Sequence, residues 1–276
     1  MNKAKILYVS QEILPFSPES LIARISRNLP QGAHEKNKEI RVFMPRFGKI
    51  NERRHQLHEV IRLSGMNLII NDTDHPLIIK VASIPSARLQ VYFIDNDEYF
   101  KRKSDLFDDA GTPFTDNDER SIFFVRGVLE TVKKLGWAPD IIHCHGWMSA
   151  LLPAYVKEFY KNDPHFSGAK IVYSVYDEEF SGGLDKNLSK KLAFDGLSER
   201  ATSLVVDPTH TNLTKLAVEF SDGVVFGTAN VPDEIKTYTD STDTACIACV
   251  DEDRVVNEVT TFYDSILQGN PALVEE

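Results

Sequence analysis

Hydrophobic residues follow two alternating patterns along this chain. Short runs of consecutive apolar residues, of strand length, alternate with longer segments in which apolar residues recur every three or four positions. The first run, residues 5–10, is continuously apolar, as expected when helices cover both faces of a sheet. This alternation is typical of βαβ units. It predicts an α/β fold with a Rossmann-like, mostly parallel sheet and helices on both faces.

The same patterns place the other elements. Further strands are predicted at residues 39–44, 140–144, 169–175, 222–226 and 245–250. Helices are predicted at residues 19–28, 146–160, 213–220 and 254–267, with one more from a capping box at Thr115 and Asp118 to a stop at Gly136.

Residues 59–95 have a different texture, with short β-prone runs at 60–63, 67–70, 77–81 and 89–94. Residues 71–75 between them are a hairpin signal of the longer-loop kind. We expect an antiparallel extension of the main sheet here, within one domain over residues 1–267. Residues 268–276 are expected to be a frayed tail.

Composition excludes several classes of protein. There are 31 Lys and Arg against 41 Asp and Glu, which gives a net charge of −10. Nucleic-acid binding instead needs clustered Lys and Arg side chains that neutralise phosphates. Charges interrupt every apolar run before the roughly 18 residues of a membrane span. The apolar run at residues 6–9 is shorter than the roughly 7–15 residues of a signal-peptide core. We therefore expect no nucleic-acid or membrane partner and a cytoplasmic location.

Three cysteines, an odd number, fit a reduced compartment better than a disulfide framework. Cys246 and Cys249 form a CxxC, which could be a redox pair or half of a zinc site. In an extended run their thiols would face opposite sides, and no second CxxC or His pair completes four ligands. We predict plain buried cysteines, no metal site and no cofactor.

Candidate sites lie in the turns after the strands, because ligands of open parallel sheets bind outside the carboxyl ends of the strands. Residues 11–20, which include Ser17, Pro18, Glu19 and Ser20, lead into a helix whose start could hold an anion. The loop is not glycine-rich, and Pro18 and Glu19 remove an N–H and add a negative charge. A stiff connection that caps the helix is the other interpretation.

Two later turns carry polar and aromatic side chains. His143, His145 and Trp147 could bind a sugar ring, or the histidines could be a satisfied structural pair. Tyr176 and Asp177 begin a run with three successive carboxylates at residues 177–179, which could share a proton or bind a metal but are more often solvated on a loop.

A third candidate is a cluster of four bases in this acidic chain, which comprises Arg46, Lys49, Arg53 and Arg54. It could receive an anionic ligand or an acidic patch of a partner, or it could form ordinary surface ion pairs.

The order of segments resembles the amino-terminal half of bacterial glycogen synthases and plant starch synthases. The resemblance rests on Ser-x-Glu-x-x-Pro at residues 10–15, Met-Pro at 44–45, Asp-Ile-Ile-His-Cys-His-Gly-Trp at 140–147 and Phe-Ser-Asp-Gly-Val-Val-Phe at 220–226. It is strongest to short, single-domain glycogen synthase-like proteins, through residues 50–66 and 95–97. The resemblance implies the amino-terminal half of a GT-B fold, from retaining glucosyltransferases that use ADP-glucose.

The departures from that family concern the donor side. The family has Lys-x-Gly-Gly-Leu where this chain has Ser-Pro-Glu-Ser-Leu at residues 17–21, and an Asp where it has Gly146. In the family a second domain makes most nucleotide contacts, and we expect this chain to lack it. These losses make ADP-glucose a doubtful ligand and predict weak or no independent glucosyl transfer, with no catalytic residue assigned.

The resemblance leaves two functions open. One is a glucan-binding or regulatory relative that uses Tyr99, His143, His145, Trp147, Tyr176 and Asp177 toward an α-glucan or oligosaccharide. The other is an active α-1,4-glucosyltransferase completed by another copy or by a separate carboxyl-terminal synthase domain.

Overall fold

The computed structural model of this 276-residue chain describes residues 3–177, 180, 182–242, 244–249 and 251–269. The described strands are β1 (Lys5–Ser10), β2 (Glu39–Pro45), β3 (His58–Glu59), β4 (Met66–Ile70), β5 (Thr73–Ile84), β6 (Leu89–Asp95), β7 (Ile141–His145), β8 (Lys170–Val175), β9 (Gly223–Phe226) and β10 (Ala245–Ile247). The described helices are α1 (Leu21–Glu35), α2 (Glu52–His55), α3 (Asp97–Phe100), α4 (Asn117–Lys134), α5 (Leu152–Ala154), α6 (Leu188–Phe194), α7 (Glu199–Thr202), α8 (His210–Glu219), α9 (Asp233–Asp240) and α10 (Val255–Gln268).

One mixed sheet organises the molecule, in the order β10-β9-β8-β7-β1-β2-β6-β5-β3, with β4 paired to β5. Every neighbouring pair from β10 to β6 is parallel, whereas β5 is antiparallel to β6, β3 and β4. The predicted α/β class and the antiparallel extension are confirmed, and β6 joins the two parts.

Helices cover both faces of this sheet. Tyr8 of β1 and Val91 of β6 share one face through the register of β1, β2 and β6, and Ile94 faces the other side. Tyr8 meets Tyr263 of α10, while Ile94 lies under Gly127 of α4, where an added Cβ would come within 2.9 Å. The apolar strands are therefore buried between two helical layers.

Helix α1 continues to Glu35, past its predicted end at residue 28 and through Pro30. Its inner face packs on α10 so closely that a Cβ on Gly32 would lie 2.3 Å from the Val256 side chain. Tertiary packing thus outweighs the hydrogen bond that Pro30 cannot donate.

Several local predictions were wrong. Residues 60–63, predicted as a strand, form a turn instead. The hairpin predicted with a longer loop at 71–75 has a tight two-residue turn, because Asn71 and Asp72 both adopt positive φ and Thr73 already pairs with Ile70. The capping box at Thr115 does not form: Asp116 is the N-cap of α4, without a side-chain cap bond.

Other helices differ from the predicted ones. The predicted helix at 146–160 is broken into a 3₁₀ turn (Trp147–Ser149), α5 and a π-helical turn (Tyr155–Phe159). Five short helices, α2, α3, α6, α7 and α9, were not predicted. The predicted end of α10 is near the observed one, and the tail at 270–276 lies outside the described residues.

No helix among the described residues is both long and apolar enough to span a bilayer.

Candidate functional site

The strand order reverses direction between β1 and β7, so the crevice outside their carboxyl ends is where an open α/β sheet binds ligands. Gln11 follows β1 and fills the floor of this crevice. Its N–H donates to the carbonyl of His145 at 3.3 Å, and its Oε1 accepts from the N–H of Met148 at 3.1 Å. No pattern in the sequence had predicted that this glutamine joins the two strands.

Gly146 forms the other half of the floor. Its φ of 81° and ψ of 158° belong to a region that only glycine adopts readily. A Cβ at this position would lie 2.5 Å from the side chain of Gln11. The aspartate expected from the family resemblance therefore cannot occupy this backbone without a rearrangement of the floor.

His143 and His145, which point to the same side of β7, are fully buried with ring centroids 4.0 Å apart. The Nδ1 and Nε2 atoms of His143 lie 2.5 Å from the Tyr263 hydroxyl and 2.7 Å from Ser174 Oγ, and His145 Nδ1 lies 2.8 Å from the Tyr176 hydroxyl. Three of the four ring nitrogens are thus within hydrogen-bond distance of neighbouring hydroxyl groups, while Nε2 of His145 is buried without a hydrogen-bond partner among the described residues.

Burial decides the charge of this pair. Loss of solvation lowers the pKa of His145 to about 3, and burial together with His145 lowers the pKa of His143 well below its usual range. Both imidazoles are therefore neutral at pH 7. A neutral, enclosed pair has no spare proton to give to a substrate near neutrality.

The other predicted sugar-binding residues are also mostly buried. Trp147 and Tyr176 are each 4% exposed; Trp147 packs its ring edge on Phe180, and Tyr176 packs on Gly227. Asp177 is exposed at the end of β8, with Thr228 Oγ1 at 3.5 Å from its carboxylate. The carboxylates at residues 178 and 179 lie outside the described residues.

Tyr99 lies apart from this group, in α3 after β6. It is 3% exposed, and its hydroxyl lies 3.0 Å from His75 Nε2 and donates to Glu119 at 3.1 Å. Glu119 also contacts Lys191, a buried lysine that pairs with Asp118 at 2.5 Å. Sequence reasoning missed this polar cluster, although its two adjacent carboxylates open α4.

Little space remains at the strand ends. A cavity of about 20 Å³, bordered by His143, Ser174, Tyr176 and Gly227, lies beside α1 and α10. That volume holds about one water molecule. This cavity is therefore too small for a sugar ring.

The loop before α1 holds residues 17–20, which stand where the resembling family has its Lys-x-Gly-Gly loop for the nucleotide sugar. Ser17 Oγ accepts from the N–H of Ile13 at 3.2 Å, and Ser20 is the N-cap of α1, accepting from the N–H of Ala23 at 3.0 Å. Ser20 Oγ also donates to Glu12, while Glu19 is 72% exposed and 3.4 Å from Arg24. Two carboxylates thus flank the start of the helix.

The four bases after β2 are separated by the structure. Arg46 is tied to Glu52 and lies 3.8 Å from the buried Asp95, so it belongs to an internal ion network. Lys49 and Arg54 instead border a surface cavity together with Ser17 and Pro18 of the loop. Arg53 is exposed and does not line that cavity.

The cysteine prediction needs correction. Cys144 is buried, but Cys246 and Cys249 are exposed, because β10 is an edge strand that ends at Ile247, before Cys249. All three are free thiols. In the part of the chain that the structure describes, no group of three His, Cys, Asp or Glu could hold a metal ion.

Comparison with known proteins gives a consistent picture. The family model of the starch synthase catalytic domain matches residues 5–245. The glycogen synthase of Chlorobium limicola (strain DSM 245 / NBRC 103803 / 6330) is 37% identical over 267 residues, which cover 96% of this chain and 52% of that protein. The glycogen synthase of Chlorobium luteolum (strain DSM 273 / BCRC 81028 / 2530) is 40% identical over 190 residues, 68% of this chain and 39% of that protein.

Among solved structures, the catalytic domain of starch synthase IV from Arabidopsis thaliana, bound to ADP and acarbose, superposes with a TM-score of 0.70. It is 16% identical and covers 91% of this chain and 52% of that one, so it supports the fold alone. The chain spans about half the length of the Chlorobium limicola relative.

Proposed function

The chain belongs to the family of the starch synthase catalytic domain, and we propose that within it the chain binds an α-glucan or oligosaccharide and performs little or no glucosyl transfer by itself. Its three free thiols fit a reducing compartment, so the proposal places the protein in the cytoplasm. It acts in glycogen or α-glucan metabolism as a binding or regulatory relative of the synthases.

The observation that carries this proposal is the pair of carboxylates at the start of α1. A helix N-terminus after the first strand attracts anions when its N–H groups are free and its surroundings are neutral or basic. Here Ser20 occupies the N-cap, Glu12 accepts from Ser20, and Glu19 stands beside them. A diphosphate leaving group would meet negative charge, and glucosyl transfer depends on its stabilisation.

Glucan binding is proposed for the surface around Asp177. This carboxylate is exposed and can accept hydrogen bonds from sugar hydroxyls. Trp147, Tyr176 and the two histidines act from below, holding the strand ends in one arrangement.

Two measurements on the purified chain test the proposal. Migration in a glycogen-containing gel should be retarded, and the Asp177→Ala variant should be retarded less. Incorporation of glucose from ADP-glucose should stay at the level of a blank. Unretarded migration would remove the binding role, and clear incorporation with no other polypeptide present would remove the claim of weak transfer.

A loop exchange tests the carrying observation directly. The triple variant Ser17→Lys, Glu19→Gly, Ser20→Gly restores the family pattern and should gain measurable ADP-glucose binding by calorimetry. Glu252→Gln is the control for the loss of Glu19, because it removes one negative charge that also pairs with Arg24 but leaves the loop intact. Equal behaviour of the two variants would show that the loop charge is not what excludes the donor.

The length comparison favours a second candidate function. Because the chain spans about half of the Chlorobium limicola glycogen synthase, another polypeptide could complete an active ADP-glucose-dependent glucosyltransferase. This candidate requires either a second copy of the chain or a separate carboxyl-terminal synthase domain. The test is whether a carboxyl-terminal synthase domain co-purifies with this chain. If the complex has ADP-glucose-dependent activity that neither part has alone, the second candidate function replaces the first.

A further inference from the structure

A second concave region lies on the other side of the loop that precedes α1. A cavity of about 230 Å³ is bordered by Phe16, Pro18, Lys49, Arg54, His55 and Asp105. A neighbouring cavity of about 490 Å³ shares Phe16, Arg54 and His55 and adds His58 and Ser86. Phe16 and His55 meet edge to face at 5.0 Å and form a wall common to both.

The charges here run against the acidic character of the chain. Lys49 is 54% exposed and only 3.9 Å from Asp105, a loose pair. Arg54 is exposed, and within the described residues no carboxylate holds its guanidinium. Asp105 is the one carboxylate among the described lining residues of the two cavities. Lys49 and Arg54 therefore face a space whose described lining holds one carboxylate, Asp105. Burial and the nearby charge of Glu12 raise the pKa of that carboxyl group.

The remaining walls suit a ligand with a polar, hydroxyl-bearing body. Phe16 and Phe47 border the cavity but are only 7% and 4% exposed, so each offers a small apolar patch that the edge of a sugar ring can touch. Burial and the nearby Arg54 lower the pKa of His55, so that at pH 7 the imidazole is a neutral hydrogen-bonding group. The carboxyl group of Asp105 can accept a hydroxyl hydrogen bond.

We propose that this cavity binds a small sugar phosphate, a hexose monophosphate, with its phosphate on Lys49 and Arg54 and its ring against Phe16 and Asp105. The charge of two cations matches a phosphate monoester, which carries up to two negative charges near neutral pH. The volume of about 230 Å³ lies below the roughly 300–1,000 Å³ of pockets for drug-sized ligands, which fits a small ligand. This site is separate from the β1–β7 crevice and does not rest on the proposed glucan binding.

The test is calorimetric titration of the purified full chain with glucose 1-phosphate and glucose 6-phosphate, beside glucose and inorganic phosphate. At least one hexose phosphate should bind saturably and more tightly than either glucose or phosphate. Arg54→Ala should weaken binding about tenfold or more, because it removes charge-assisted hydrogen bonds. Arg53→Ala is the matched control, since it removes the same charge from the adjacent exposed position and should leave binding unchanged.

A further variant locates the sugar. Asp105→Asn should reduce the preference for hexose phosphate over inorganic phosphate, because it weakens an acceptor near the ring, whereas the release of Lys49 from its ion pair favours both ligands through the phosphate they share. Lys49→Ala repeats the Arg54 test at an independent position, so that a folding defect of one variant leaves the other to decide.

Three outcomes would overturn the proposal. They are the absence of hexose phosphate binding by the unaltered chain, equal losses in Arg53→Ala and Arg54→Ala, and inorganic phosphate binding as tightly as the sugar phosphate. Retardation in the glycogen gel should be the same for Arg54→Ala as for the unaltered chain, so failure here is distinguishable from failure of the glucan proposal.

Discussion

At the carboxyl end of the sheet, the polar residues on the two sides of β1 differ in their burial and hydrogen bonding. Toward β7 and β8, His143, His145 and Tyr176 are buried and bonded to one another or to neighbouring hydroxyls. Toward β2 and β6, Lys49 and Arg54 remain at the surface beside cavities of hundreds of cubic ångströms. The polar side chains toward β7 and β8 form hydrogen bonds within the fold, whereas the charged side chains toward β2 and β6 are accessible to a ligand.

The residues that carry the family resemblance are therefore mostly different from those that a ligand can reach. The residues that carry the resemblance, from β7 into the turn at Trp147, are packed beneath the surface and hold the strand ends together. Apart from the exposed Asp177 after β8, the side chains that can meet a ligand come from the loop before α1, from the segment after β2 and from Asp105. A functional test of this chain should therefore examine both sides.

The sharpest way to break the closed side is Gly146→Ala. The new side chain would meet Gln11 at 2.5 Å and would have to adopt a glycine-specific backbone conformation. We expect the free energy of unfolding to fall by about 3–4 kcal/mol, from strain and overpacking together. Urea unfolding measures it. Adding Gln11→Ala should restore only the packing part, and full rescue would mean that the backbone is unstrained.

Acid should weaken the closed side next. The histidine pKa values are lowered in the folded state, so the unfolded chain binds more protons below about pH 6.5, and stability is lost as the pH falls from there towards the folded values. Each buried histidine contributes about 1.4 kcal/mol per pH unit in that window.

The measurement is the difference between the unaltered chain and His145→Gln in urea unfolding from pH 7 to pH 4.5. Carboxyl groups titrate in both chains and cancel in the difference. The stability of the variant should depend less steeply on pH, and parallel curves would show that His145 is not held neutral.

Sequence reasoning worked where the signal was local. Strand β1 was predicted in full because its continuous apolar run is the pattern of a strand covered on both faces. The partner of His143 could not be predicted, because Tyr263 is 120 residues away and meets it only once α10 packs on the sheet.

The same distinction explains the errors. The helix predicted at residues 19–28 continues through Pro30 to Glu35, because Gly32 packs against α10. The four bases after β2 read as one cluster, whereas buried Asp95 draws Arg46 inward and leaves Arg54 outside. Whether a polar residue serves the fold or a ligand depends on such distant partners.

The smallest expected effect is the difference in stability loss between substitutions of two arginines of that cluster. Arg46 is half-buried and bonded to Glu52, and near it Lys80 holds Asp95 at 2.9 Å, so Arg46→Ala leaves these carboxylates short of one partner. We expect a loss of about 2 kcal/mol in the free energy of unfolding for Arg46→Ala, against less than about 0.5 kcal/mol for Arg54→Ala. Urea unfolding at pH 7 compares the two. Similar losses would mean that Arg54 also serves the fold, and the contrast between the closed and open sides of β1 would then disappear.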